Sequence, residues 1–213
     1  MESKIAEALK IQDMRLPPSS GRMRDRRRKP MKIVIALTIF LLPSLCFGAD
    51  VGLKSTQMIA GYVVSPVIEA GNRTDMNYMM TNVRFEWMRF DNNFRMLGEI
   101  TYSKTTTGPS GYLAGGTLLL RYDFERSGNL IPYAQIGVGV LYTDLYKDYS
   151  QSLVGNEIEF NPQGSLGVRY LINKNLSLDA EAMYHHVSNA GLGDRNIGVN
   201  GVAGFIGLTY YWR

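Results

Sequence analysis

The chain has 213 residues, of which 45% are hydrophobic and 20% charged, and a formal net charge of +4. Ten of its basic and four of its acidic residues precede position 49, which leaves 13 basic against 15 acidic residues beyond it. The basic excess belongs to the front end, so no nucleic-acid partner is expected.

Residues 1–30 do not read as a folded element. Pro17-Pro18-Ser19-Ser20-Gly21 breaks any helix, and Arg24, Arg26, Arg27, Arg28 and Lys29 form a basic run around Asp25. Met31-Lys32 then opens the apolar run from Ile33 to Leu42. At about ten residues this run has the length of a secretory signal and is short for a membrane-spanning helix. Small residues follow, and cleavage is expected after Gly48 or Ala49. The expected organisation is a basic extension over 1–30, a signal peptide over 31–48 and one domain over 49–213. Either Met31 is the true start or 1–30 is a long basic n-region, and both leave the same mature chain. Cys46 falls in the signal region behind Pro43-Ser44-Leu45, which is not a lipobox, so no lipid anchor and no disulfide framework are expected.

From about Met58 the apolar residues recur at every second position, the period of a strand. Tyr112, Ala114, Gly116, Leu118, Leu120, Tyr122 and Phe124 share one face, opposite Leu113, Thr117, Leu119, Arg121 and Asp123. Leu130, Pro132, Ala134, Ile136, Val138, Val140 and Tyr142 alternate with Tyr133, Gln135 and Thr143. Ile158, Phe160, Leu166, Val168, Tyr170 and Ile172 oppose Glu157, Glu159, Gln163, Ser165 and Arg169. Val202, Ile206, Leu208, Tyr210 and Trp212 form the closing stripe. With weaker runs near 52–64, 76–90, 94–103 and 175–188, about eight strands are expected.

Soluble sandwiches alternate too, but three features favour a membrane barrel. The runs span roughly 10 to 15 residues, longer than the five or six usual in soluble proteins. Aromatic residues gather at the strand ends, with Tyr122, Phe124, Tyr170, Tyr210 and Trp212 at one end and Tyr102, Tyr112, Tyr142 and Tyr184 at the other. The polar face carries Glu99, Arg121, Asp123, Glu157, Glu159, Arg169, Asp179 and Glu181, which a narrow lumen can pair. The connections at 91–93, 126–128 and 173–175 are short; those at 65–75, 104–110, 144–156 and 189–198 are longer. That asymmetry fits periplasmic turns and external loops. The expected fold is all-β, an eight-stranded antiparallel transmembrane β-barrel in the bacterial outer membrane.

Both histidines of the chain lie in Tyr184-His185-His186-Val187-Ser188-Asn189. Residues i and i+2 of a strand share a face, so the His186 imidazole and the Ser188 hydroxyl are neighbours, as a general base and a nucleophile must be. The tripeptide alone is common, and its plainer reading is a polar strand end. On strand seven, however, the even positions Leu178, Ala180, Ala182 and Tyr184 are apolar, so His186 and Ser188 are expected to face outward at the outer leaflet. A polar pair there is costly without a purpose. Asn189 can offer an amide to a developing oxyanion, together with backbone amides near Ala190 and Gly191. His185 is expected inside the lumen, paired with Glu181. No metal or cofactor is expected, since no Cys/His ligand spacing and no glycine-rich loop leading into a helix are present.

The run from His186 to Leu192, with Asn196, Gly198 and position 200, resembles the outer-membrane lipid A 3-O-deacylases (PagL), which are eight-stranded barrels. Supporting similarity lies in Pro132–Gly139 and Gly167–Tyr170. The resemblance implies Ser188 as nucleophile, His186 as base and Asn189 as oxyanion donor, acting on the ester-linked 3-hydroxyacyl chain at the 3 position of lipid A. It departs at position 200, where the family's acid is replaced by Asn200. Either Asn200 orients His186, or a carboxylate such as Asp194 substitutes, or the protein is a weak or inactive relative. The alternatives to a lipid A deacylase are a structural or surface barrel and a hydrolase of other membrane acyl esters. Lys104, Lys147 and Arg195 are candidates to meet lipid A phosphates. The expected partners are lipopolysaccharide and the outer membrane, and a homodimer is the one protein partnership that reading allows.

Overall fold

A computed structural model describes residues 50–65, 76–90 and 93–212. The extension and signal segment lie outside the described residues. Eight strands follow one another: β1 Asp50–Val64, β2 Asn77–Arg89, β3 Phe94–Thr107, β4 Tyr112–Asp123, β5 Leu130–Thr143, β6 Ile158–Leu171, β7 Leu176–Val187 and β8 Val199–Tyr211. Each pairs antiparallel with the next, and β1 pairs with β8 from Ser55↔Tyr211 to Val64↔Val202, so the sheet closes into a barrel with no free edge.

The alternation read from the sequence is the division between wall and lumen. Ile136, Leu166 and Ile206 point outward and are each about two-thirds exposed, whereas Arg121, Tyr133, Arg169 and Glu181 point inward and are buried. An apolar exterior of this kind requires a hydrocarbon surrounding. Aromatic rings gird both rims. Phe94, Tyr122 and Phe124 pack edge to face at the short-turn end, as do Tyr210 and Trp212, while Tyr102, Tyr112 and Tyr142 neighbour one another at the loop end.

The lumen is filled in two zones. Toward the short turns it is ionic. Arg84 donates to Glu99 at 2.6 Å and reaches both oxygens of Glu181 at 2.6 and 3.0 Å. Arg95 bridges Glu86 and Asp123, and Arg169 meets Asp179 at 2.9 Å. The Tyr133 ring lies under Arg121 and Arg169, and at Gly167 a side chain would strike that ring at 2.2 Å. Toward the loops the lumen turns apolar: Val63, Tyr78, Met80, Leu113, Leu141, Met183, Val187 and Val199 pack against Leu145, Leu153 and Val154 of the β5–β6 connection. The loop thus folds over the mouth and backs the upper ends of β7 and β8 with a solid interior.

Three expectations need correction. The 104–110 connection is shorter than expected, because the β-branched run Thr105-Thr106-Thr107 continues β3 and leaves only 108–111 to turn. Glu157 is exposed ahead of β6 and is not luminal. His185 is luminal, but its partners are Tyr78 and Asn161, since Arg84 and Tyr133 already engage Glu181.

Candidate active site

The outer wall at the loop end of β7 and β8 carries the candidate residues. On β7 the inward residues Ser177, Asp179, Glu181, Met183 and His185 are buried, and Leu178 and Tyr184 face out. His186 and Ser188 fall on that outward face, half-buried. Register sets His186 directly opposite Asn200 on β8. Directly opposed side chains lie close enough to bond, and His186 Nδ1 lies 2.8 Å from Asn200 Oδ1. The same oxygen accepts the Tyr184 hydroxyl at 2.8 Å. Nδ1 thus carries the proton in the tautomer that satisfies this bond, and Nε2 has no protein partner among the described residues.

The chain beyond β7 is held by an interrupted ladder. The β6–β7 register brings Pro162 opposite His186, and proline has no N–H to give. Pairing resumes two residues on, where Phe160 N donates to Ser188 O at 2.7 Å and Ser188 N to Phe160 O at 3.1 Å. Ser188 is therefore fixed through its backbone while its hydroxyl forms no bond to His186 in this structure. Such contacts commonly tighten only when substrate is bound.

Residues 189–192 form a tight turn. Ala190 and Gly191 both have positive φ, 54° and 76°, and Leu192 N returns to Asn189 O at 3.1 Å. A left-handed alanine is strained, and the Asn189 side chain holds it in place. Asn189 is fully buried; its Oδ1 accepts Gly191 N at 3.0 Å and its Nδ2 donates to Arg195 O at 3.0 Å. The structure thus commits the Asn189 amide to the loop. Two other donors near Ser188 have no partner among the described residues: the Ala190 N–H, and Nδ2 of Asn196, whose Oδ1 takes Asn189 N at 2.8 Å.

The next connection locks onto its neighbour. Arg195 donates to the carbonyls of Tyr146, Asp148 and Gln151 and lies over the Tyr149 ring. Ser150 donates to the Asp148 carboxylate from both its hydroxyl and its N–H, which holds that carboxyl below its usual range. Gly198 N donates to Leu153 O at 2.9 Å. At φ 81°, Gly198 also lies against His186, and a side chain there would meet the ring Cε1 at 2.7 Å.

Asn200 is brought together with His186, and Ser188 shares their face. Asp194 is exposed, and it is Asn200 that is bonded to His186 Nδ1. Of the phosphate candidates, Arg195 is spent on loop carbonyls. Lys104 faces outward on β3, four strands from β7 and so on the far side of the barrel. Lys147 is exposed on the one-turn helix Leu145–Lys147. Among the described residues no group of three or more His, Cys, Asp or Glu side chains is gathered to hold a metal. Sequence reasoning missed the role of Tyr184, read only as a girdle ring, and named Gly198 only as part of the resemblance, without its contact to His186. The i, i+2 rule could have found the first, because Tyr184 precedes His186 on the same face.

A family model described as lipid A 3-O-deacylase (PagL) matches residues 70–209, about two-thirds of the chain. The chain belongs to the lipid A 3-O-deacylase (PagL) family. It is thus a lipid A deacylase-like barrel of the bacterial outer membrane. Among solved structures it is similar to the outer membrane enzyme PagL at 16% identity and a TM-score of 0.55, over 72% of this chain and 97% of that one. It also matches Ail, the attachment invasion locus protein of Yersinia pestis, at 17% identity and TM-score 0.44, over 75% of this chain and 99% of that one. OprG from Pseudomonas aeruginosa matches at 16% and 0.43, over 77% of this chain and 100% of that one. No curated protein matches.

Proposed function

We propose that the protein is a serine esterase that removes the ester-linked 3-hydroxyacyl chain from the 3 position of lipid A in the outer leaflet. The observation that carries this reading is the outward His186, bonded through Nδ1 to Asn200 and open at Nε2, with Ser188 on the same lipid-facing wall. Lipid A presents its acyl esters at the base of its headgroup, so a nucleophile at the outer aromatic girdle meets them without extracting the lipid from the bilayer.

Ser188 Oγ attacks the ester carbonyl while His186 Nε2 takes its proton. The resulting oxyanion is stabilised by the Ala190 N–H and the Asn196 amide, with Asn189 shaping the turn that presents them. Collapse expels the sugar oxygen, which receives the proton back from His186. Water then attacks the acyl-enzyme, again losing its proton to His186, and releases the free 3-hydroxy fatty acid with Ser188 restored. Asn200 holds the ring but brings no negative charge to the imidazolium. A slow enzyme follows from this, and Asn200→Glu is expected to accelerate it.

The test is the mass of lipid A extracted from bacteria producing the protein. Loss of one 3-hydroxyacyl chain from the 3 position, abolished in Ser188→Ala and His186→Ala, supports the reading. Intact lipid A with fatty acids released from phospholipid would instead make the protein a hydrolase of other acyl esters. No change in either lipid, with a folded barrel, would leave a structural or surface role.

A further inference from the structure

If Ser188 and His186 react as described, the proton on the His186 ring must sit on Nδ1, and what secures it there is the end of Asn200 that faces the ring. An amide has two ends of nearly the same shape and opposite hydrogen-bonding sense. Were it turned over, Nδ2 would donate to His186 Nδ1, the ring proton would move to Nε2, and Nε2 could no longer accept from Ser188. In a serine protease, asparagine in place of the triad acid costs about 10⁴-fold through this wrong tautomer.

Resting on the esterase reading of the same site, we propose that Tyr184 is a positioning residue: its hydroxyl, bonded to Asn200 Oδ1, holds the amide oxygen toward His186. Tyr184 stands two residues before His186 on the outward face and opposite Val202, so it is diagonal to Asn200 across the β7–β8 pair. Diagonal neighbours at about 7–8 Å are within reach of a tyrosine. Its ring is half exposed at girdle depth, as an anchoring tyrosine's would be. A girdle tyrosine, however, needs its hydroxyl only in headgroups and water. Here the hydroxyl turns back along the wall and ends 2.8 Å from the oxygen that also accepts His186 Nδ1, equally at 2.8 Å. Turning the amide over reverses the bond to His186 and makes the Tyr184 hydroxyl accept from Nδ2, the weaker sense for a phenol, and rotating it out of plane loses both.

Two readouts test this on the full chain purified as a folded barrel in micelles. The protein has two histidines, so nitrogen NMR after ¹⁵N-histidine labelling resolves His186, assigned by its loss in His186→Ala. At alkaline pH the wild type is expected to show one His186 tautomer protonated on Nδ1, and Tyr184→Phe a mixture. On purified lipopolysaccharide, Tyr184→Phe is expected to lower kcat about tenfold with KM within about twofold. Asn200→Asp offers an acceptor at either end, so there the same change should cost less than about twofold. Equal losses in both backgrounds would mark Tyr184 as a girdle anchor only, and an unchanged tautomer in Tyr184→Phe would overturn the proposal outright. A wild type with no Ser188-dependent turnover would sink the esterase reading, while the tautomer measurement would still decide what holds His186.

Discussion

His185 and His186 are consecutive in the chain and lie on opposite sides of one wall. His185 is fully buried in the lumen, with Tyr78 on one ring nitrogen and Asn161 on the other. Gly201 lies so close beneath it that a side chain would meet Nε2 at 2.5 Å. His186, one step on, is held by a single nitrogen and leaves the other open on the lipid side. The same side chain is a packing element where both nitrogens are satisfied and a candidate base where one is not. The contrast extends to their surroundings. The lumen joins Arg84, Arg95 and Arg169 to carboxylates, whereas the outer rim holds uncommitted groups: the Ser188 hydroxyl, the Ala190 N–H and His186 Nε2. Open valences on an otherwise greasy wall distinguish a site from a scaffold.

The contrast can be broken by substitution. His186→Ala should lower lipid A deacylation by about 10⁴-fold and leave the barrel's unfolding in urea unchanged. Gly198→Ala should lower activity by about 100-fold, because the new methyl group displaces the ring edge and the left-handed backbone resists it. His185→Ala should do the reverse of His186→Ala. It leaves Tyr78 and Asn161 unpaired and a cavity in the apolar zone, so stability should fall by about 2 kcal/mol while the folded fraction keeps its activity. If His185→Ala instead abolished turnover at full stability, the two histidines would have to exchange roles. The smallest effect is expected at the turn. Ala190→Gly relieves a left-handed alanine and should raise stability by up to about 1 kcal/mol, read from the urea midpoint.

The wall was legible because a barrel strand has a period of two and one medium on each side. Leu178, Ala180, Ala182 and Tyr184 fixed the outward parity of β7, and the outward placement of His186 and Ser188 followed without any knowledge of neighbouring strands. What lies across the strands was not legible in the period itself, and Asn200 entered only through the family resemblance. That Asn200 faces His186 depends on the register of β8, which the long connection after Ser188 leaves free until its folded shape is known. Arg195 illustrates the same limit: as a lone cation near the rim it invites a phosphate, yet three carbonyls of the β5–β6 connection consume it. Asn189 likewise reads as a donor beside a serine, while its turn demands the side chain for Gly191 N and Arg195 O. Pairings between loops distant in sequence leave no periodic trace.

The most direct measurement is covalent. A lipid-tailed phosphonate ester added to the folded barrel in micelles should give one adduct, mapped by peptide mass to Ser188. That adduct should form in His185→Ala and be lost in His186→Ala. Labelling that is indifferent to His186, or an adduct on another residue, would contradict the claim that the outward imidazole activates the outward serine.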